Sequence, residues 1–184
     1  MGKGALATCP PMVGTLPLCP PYMTKRDSIV KLGTFWRMPT QQKALFFINW
    51  ILCGIARAAI KTLPFRWYAR YLGQRHPKTI LSTVISNTQM QHARHIGRSI
   101  KLAAAYTPWV SNCLPQAMVA AFWCQRYHIP YVLFIGFTSS TLKPNGFDGH
   151  AWVTAGPIAI TGGHSLNSHH VIVSYCHKDL LIYT

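Results

Sequence analysis

The stretch SNCLPQAMVAAFWCQRYHIPYVLFIGF, residues 111–137, constrains the fold more than any other part of the chain. Ser111 and Asn112 are helix N-cap residue types, and the apolar run behind them predicts a buried helix over 112–127. Pro115 is tolerated there, because the first turn of a helix has no intrahelical acceptor for the N–H that proline lacks. Pro130 marks the turn, and YVLFIGF reads as a buried strand over 131–137. Two cysteines lie in this unit in different settings. Cys113 stands in the helix's first turn, where unpaired backbone N–H groups and the positive dipole end favour a thiolate. Cys124, three turns on in AAFWC, has no such activation and reads as an inert core residue.

Around this unit the chain is read as helices first, then strands. TQQKALFFINWILCGIARAAIKTLP (40–64) predicts a helix started by Thr40 after Pro39 and ended by Pro64. Its densest apolar run, 44–56, is 13 residues long and contains Asn49, too short to span a bilayer. PFRWYARYLGQRHPK (64–78) predicts a second helix ended near Gly73. Its Arg66, Arg70, Arg75 and Lys78 are interleaved with Trp67, Tyr68 and Tyr71. That pattern is read as a solvated basic face whose aromatics pack inward, with a surface for nucleic acid or an acidic peptide as the alternative. A third helix is expected over 86–106, with Arg94, Arg98 and Lys101 on one face. HAWVTA and PIAIT form a hairpin around Gly156-Pro157, and HHVIVSY (169–175) a further strand. This order predicts an α+β domain over 40–184 with a small antiparallel sheet. Residues 1–39 are expected to be a proline-rich arm, partly disordered, since 1–22 hold five prolines and three glycines without periodicity.

Composition narrows the chemistry. Eighteen Lys and Arg face three acids, Asp27, Asp148 and Asp179, with no Glu, for a net charge of +15. Such a field favours an anionic partner, and so few acids leave almost nothing for paired-carboxylate catalysis. The six cysteines contain no CxxC pair, so a zinc site has no support. MGKGALATCPP lacks the apolar core of a secretory signal, and a reducing cytoplasm with free thiols is the expectation. Membrane contact is allowed by the basic residues after the first helix but is not expected.

His150 is the histidine in a site-like setting. In an extended HAWVTA, His150, Trp152 and Thr154 face one way and Ala151, Val153 and Ala155 the other. A histidine opening a buried strand, just after a glycine-containing polar loop, sits at a cleft edge. His169 and His170 read as an ordinary strand entry and His164 as a loop residue. A helix-start cysteine followed some 35 residues later by a strand-start histidine is an arrangement found in papain-like and transglutaminase-like enzymes. On the helix-start position alone, a structural and a catalytic role for Cys113 stand equal.

NCLPQAMVAAFWCQRYHIPYVLFIGF followed by DGHAWVTAGPIAITGG resembles the transglutaminase-like B proteins of lasso-peptide biosynthesis, the leader peptidases. IARAAIKTLPFRWYARYLG is similar to that family's helical lead-in, and the likeness runs from about residue 40 to 175. It implies a papain/transglutaminase-like fold, Cys113 as nucleophile and His150 as general acid/base. The implied substrate is a ribosomally made precursor peptide, cut between leader and core. Implied partners are a separate leader-recognition protein and an asparagine-synthetase-like cyclase that uses the ATP, with no cofactor on this chain and no nucleic acid. The family's triad has an aspartate about twelve residues beyond the histidine, where this chain has Gly162. Thr161, a backbone carbonyl or Asp148 could orient the imidazole instead, and the indole N–H of Trp109 is a candidate second oxyanion donor. Two rivals stay open: another acyl-transfer enzyme of the same fold, and a basic non-catalytic binding protein.

Overall fold

The structure is a computed structural model, and it describes residues 39–77, 82–139, 147–163 and 169–177. The arm expected over 1–39 therefore lies, apart from Pro39, outside the described residues, as do Cys9, Cys19 and His164. In chain order the elements are α1 (Thr40–Thr62), α2 (Phe65–Ala69), β1 (Gln74–Pro77), α3 (Asn87–Ala105), α4 (Cys113–Arg126), β2 (Val132–Ser139), β3 (Phe147–Ala155), β4 (Ile158–Thr161) and β5 (His170–Cys176). Every pairing in the five-stranded sheet is antiparallel, in the order β1-β5-β2-β3-β4.

The expected second helix is the main correction. It is only the five residues Phe65–Ala69, after which Gln74–Pro77 joins the sheet as β1. Gly73, at φ 121, makes the turn between them. Four mostly polar residues carry no strand pattern of their own, and they become a strand by pairing with β5, where Gln74 lies opposite Cys176.

The helices cover one face of the sheet, with α1 against α3 and α4, α4 against β3, and α3 against β4. Ala117, Val119, Ala120, Ala121 and Cys124 of α4 meet Ala151, Val153 and Ala155 of β3 in this main core. Gly97 of α3 lies so close to the Ile160 carbonyl that a Cβ there would collide with it. Asn49, fully buried in apolar α1, donates to Ser99 Oγ of α3 at 2.8 Å and accepts the Trp123 indole N–H of α4 at 2.6 Å. Such a bond is tolerable in a core only when both ends are met, and an orphaned end costs on the order of 1–3 kcal/mol. Asn49 thus fixes how the three helices sit together. A capping box between Ser86 and Gln89 starts α3, and Gln89 also donates to the His128 carbonyl at the end of α4.

On the other face of the sheet, Val132, Phe134, Trp152 and Cys176 form a second buried cluster. Both faces of β3 are therefore buried in its middle, and its first residues emerge at an edge, where His150 is half-buried.

Candidate active site

The start of α4 is built to leave amides available. Asn112 is the N-cap residue, but neither it nor Ser111 caps the helix with its side chain as the sequence suggests. Ser111 is held instead by Thr107, Oγ to Oγ at 2.9 Å, while its carbonyl accepts from Gln116 Nε2 at 2.7 Å. First-turn N–H groups without a side-chain cap are the electrostatic feature that favours an anion at this point. The Cys113 thiol sits among them. It is hydrogen-bonded to the His150 imidazole and approached by the backbone N–H groups of Ala151 and Leu114.

These contacts set the thiol's acidity. Burial acts to raise it, but the His150 hydrogen bond, the Ala151 N–H, the charge of His150 and the Leu114 N–H together hold it below the ordinary thiol value. His150 moves the opposite way. Its bond to Cys113 raises it against the effect of burial, and the Gly162 carbonyl, the Cys113 charge and, least, the Asp148 charge raise it further. The two shifts describe one pair leaning toward thiolate and imidazolium, the state in which sulfur is nucleophilic. The other described free cysteines lack this. Burial pushes Cys53 up to about 11 and Cys124 up to about 12, and it raises Cys176 as well.

The group orienting His150 is the backbone carbonyl of Gly162, which accepts from Nε2 at 2.8 Å. That leaves Nδ1 for the thiol and fixes the tautomer. Gly162 stands twelve residues beyond His150, where the resemblance to the B proteins implies an aspartate. Of the other candidates, Thr161 is buried with its Oγ1 lacking a hydrogen-bond partner among the described residues. Asp148 is exposed, and its charge is the smallest of the influences that raise His150. Trp152 supports the imidazole from below, its ring stacked on His150 at 5.9 Å and on Phe134 at 5.4 Å.

His169 was not distinguishable from a plain strand entry, yet its ring centre lies 5.0 Å from that of His150 and 5.8 Å from Trp152. A separation of 19 residues in sequence carries no local signal. Trp109, suggested as an oxyanion donor, has its ring against Trp50 and Gly54 of α1. Its buried Nε1 has no hydrogen-bond partner among the described residues. Among the described residues no group of three or more His, Cys, Asp or Glu side chains is placed to hold a metal.

The pair makes a direct prediction. In His150→Ala, burial and the two backbone N–H groups remain, but the largest influence that lowers the Cys113 thiol is gone. The half-maximum of its alkylation by iodoacetamide should move to higher pH, and labelling at neutral pH should fall about tenfold for each unit of that move. Peptide mapping at several pH values reads this out. In the native protein Cys113 should label ahead of Cys53, Cys124 and Cys176.

A half-buried thiol at a helix start, an imidazole near the outer end of a strand and a fixed acceptor behind it form a constellation for acyl transfer through a thioester. No curated protein and no solved structure matches the chain. The family described as "Transglutaminase-like superfamily" matches residues 59–174, more than half of the chain and inclusive of Cys113, His150 and Gly162. On that match, and with the α+β architecture it accompanies, this chain belongs to the transglutaminase-like superfamily.

Proposed function

We propose that the protein is a cysteine peptidase that removes the leader from a ribosomally made lasso-peptide precursor in the cytoplasm. The observation that carries the reading is the Cys113–His150 pair held by the Gly162 carbonyl, with its opposed shifts of thiol and imidazole. The choice of a lasso precursor rests on the resemblance of CLPQA and HAWV, in this order, to the B-protein peptidases.

Cys113 sulfur attacks the carbonyl carbon of the scissile bond, its proton having passed to His150 Nδ1. The oxyanion that develops is met by the Cys113 backbone N–H. His150 then returns the proton to the departing amine, which becomes the new N-terminus of the core peptide, and a thioester to the leader remains. Water, deprotonated by His150, cleaves the thioester and restores the thiol. No cofactor takes part on this chain. ATP is used by an asparagine-synthetase-like cyclase that joins the freed amine to an acidic side chain. A separate leader-recognition protein presents the precursor, and the +15 charge favours an acidic leader. Nucleic acid has no part in this reading.

Mass spectrometry of the precursor, incubated with this protein and the recognition and cyclase proteins encoded beside it, tests the proposal. Two fragments are expected, summing to the precursor plus one water while the core stays linear and to the precursor itself once the cyclase has closed the core with loss of water, and Cys113→Ala should yield neither. A product carrying an added group would move the assignment to an acyltransferase of the same superfamily. An intact precursor with all proteins folded would remove the peptidase reading.

A further inference from the structure

Helix α1 is apolar on both sides. Its inner side carries Phe46, Asn49, Cys53 and Ala56, all buried. Its outer side presents Ala44, Ile48, Ile51, Ile55 and Ala58 to solvent, with no charged residue among them. Ile48 is 43% exposed, Ile51 54% and Ile55 59%. An 18-residue window of this helix has a mean hydropathy of 1.5, yet only 22% of it is buried. A core helix of that composition would be covered. A spanning helix would not carry Asn49, which is hydrogen-bonded into α3 and α4. α1 is therefore docked along the domain with an apolar ridge facing outward.

The ridge runs into a corner of different composition. Leu63, Phe65, Trp67 and Tyr71 are exposed there, Trp67 at 56% and Tyr71 at 66%, with Lys61, Arg66, Arg70 and Arg75 also exposed. The expectation that these aromatics pack inward holds for Tyr68 alone. Arg70 sits over both exposed rings, 5.8 Å from Trp67 and 5.1 Å from Tyr71. The acid among the described residues is Asp148, on β3 and not in this region.

We propose that the outer ridge of α1 and the α2 corner seat the protein on an anionic lipid surface. An apolar ridge without hydrogen-bonding groups, flanked by interleaved Trp, Tyr and Arg, matches the acyl boundary and headgroup layer respectively. Charge selects among occupants. A second copy would bring another +15 chain against this basic corner, whereas acidic headgroups neutralise it. This inference is independent of the chemistry at Cys113.

Co-sedimentation of the full chain with vesicles tests it, using phosphatidylcholine alone or mixed with phosphatidylglycerol. Binding should require phosphatidylglycerol and weaken with salt as screening shortens the field's reach. Ile51→Ser/Ile55→Ser should weaken it about tenfold or more, given the apolar area withdrawn. Arg66→Ser/Arg70→Ser should weaken it by a similar factor, at roughly 1 kcal/mol per basic residue near such a surface. Circular dichroism and the rate of Cys113 alkylation should be unchanged in both variants, which separates surface loss from misfolding. No binding to phosphatidylglycerol vesicles, or full binding by the isoleucine variant, would overturn the proposal. So would a dimer in light scattering that the isoleucine change dissociates, or poly-glutamate binding that depends on Ile51 and Ile55. The last two outcomes would assign the ridge to a second copy or to an acidic protein.

Discussion

Cys113→Ser should fold as the native chain does and lose at least about a thousandfold in turnover, although one atom is exchanged for a slightly smaller one. The reason lies in how the site generates its nucleophile. The thiol is half-buried, which disfavours an anion, and its acidity is recovered by the His150 bond and charge and two backbone N–H groups. That is enough for sulfur, whose ionisation starts within reach of neutral pH. A serine hydroxyl starts far from it and must instead pass its proton to the imidazole during attack. Serine enzymes support that step with a carboxylate behind the histidine, which stabilises the imidazolium as it forms. Here the group behind His150 is a neutral carbonyl, Gly162 O, 2.8 Å from Nε2. It fixes the ring's orientation but brings no formal negative charge to the imidazolium.

The measurement is the rate of precursor cleavage by mass spectrometry, with thermal melting as the control for folding. A serine variant within tenfold of the native rate would mean that His150 is a stronger base than its surroundings allow. The thiolate–imidazolium account would then have to be given up. The expected pH behaviour agrees with the same picture. The thiol is shifted down and the imidazole up, so the native rate should rise from acid as Cys113 ionises and fall on the alkaline side as His150 loses its proton.

What was legible in the chain beforehand was local. Helix α4, strand β2 and the β3–β4 hairpin follow from apolar patterning, prolines and one Gly-Pro turn, and they lie close to where that patterning puts them. Cys113 was legible because it opens α4, and an element's start is a sequence feature. His150 was legible from the polar, glycine-containing run before an apolar one, but it does not open the strand as expected: pairing with β2 starts β3 at Phe147 and makes His150 its fourth residue. What was not legible depends on distant partners. β1 exists through pairing with a strand some hundred residues away, with Ser174 Oγ donating to the His76 carbonyl. His169 reaches His150 only after the sheet brings β5 round to β2, whose other neighbour is β3. The orienting group was the hardest to read, since a carbonyl belongs to every residue and has no side-chain signature. Its trace in the sequence is a glycine where an acid is expected.

That glycine makes the second large effect a counterintuitive one: introducing the aspartate that the resemblance to the B proteins implies, as Gly162→Asp, should damage the site. Gly162 has φ 78, in the left-handed region that other residues adopt at a cost. A Cβ at this position would collide with the Trp152 Cβ, and would stand 2.7 Å from the Ala151 carbonyl and 2.8 Å from the Trp152 Cα. These are backbone and near-backbone atoms of the strand that carries His150, and they cannot swing aside as a long side chain can. The loop would have to move, and the carbonyl that holds Nε2 would move with it. Gly163 supplies the control, because at φ 68 it meets nothing within 4 Å of an added Cβ. Gly163→Ala thus reports the backbone strain alone, about 1 kcal/mol and a few degrees in Tm. Gly162→Ala and Gly162→Asp should melt several degrees lower still and lose on the order of a hundredfold in cleavage, as expected when a positioning group is displaced. If Gly162→Asp instead matched or exceeded the native rate, the carboxylate would have found the imidazole by another path, and the carbonyl would not be the group that orients it. If both Gly162 variants melted with Gly163→Ala, the close approach of this loop to β3 would be wrong. The expected result would give a physical reason for the missing aspartate: the chain brings a backbone carbonyl to His150 by packing the loop so closely that no side chain fits.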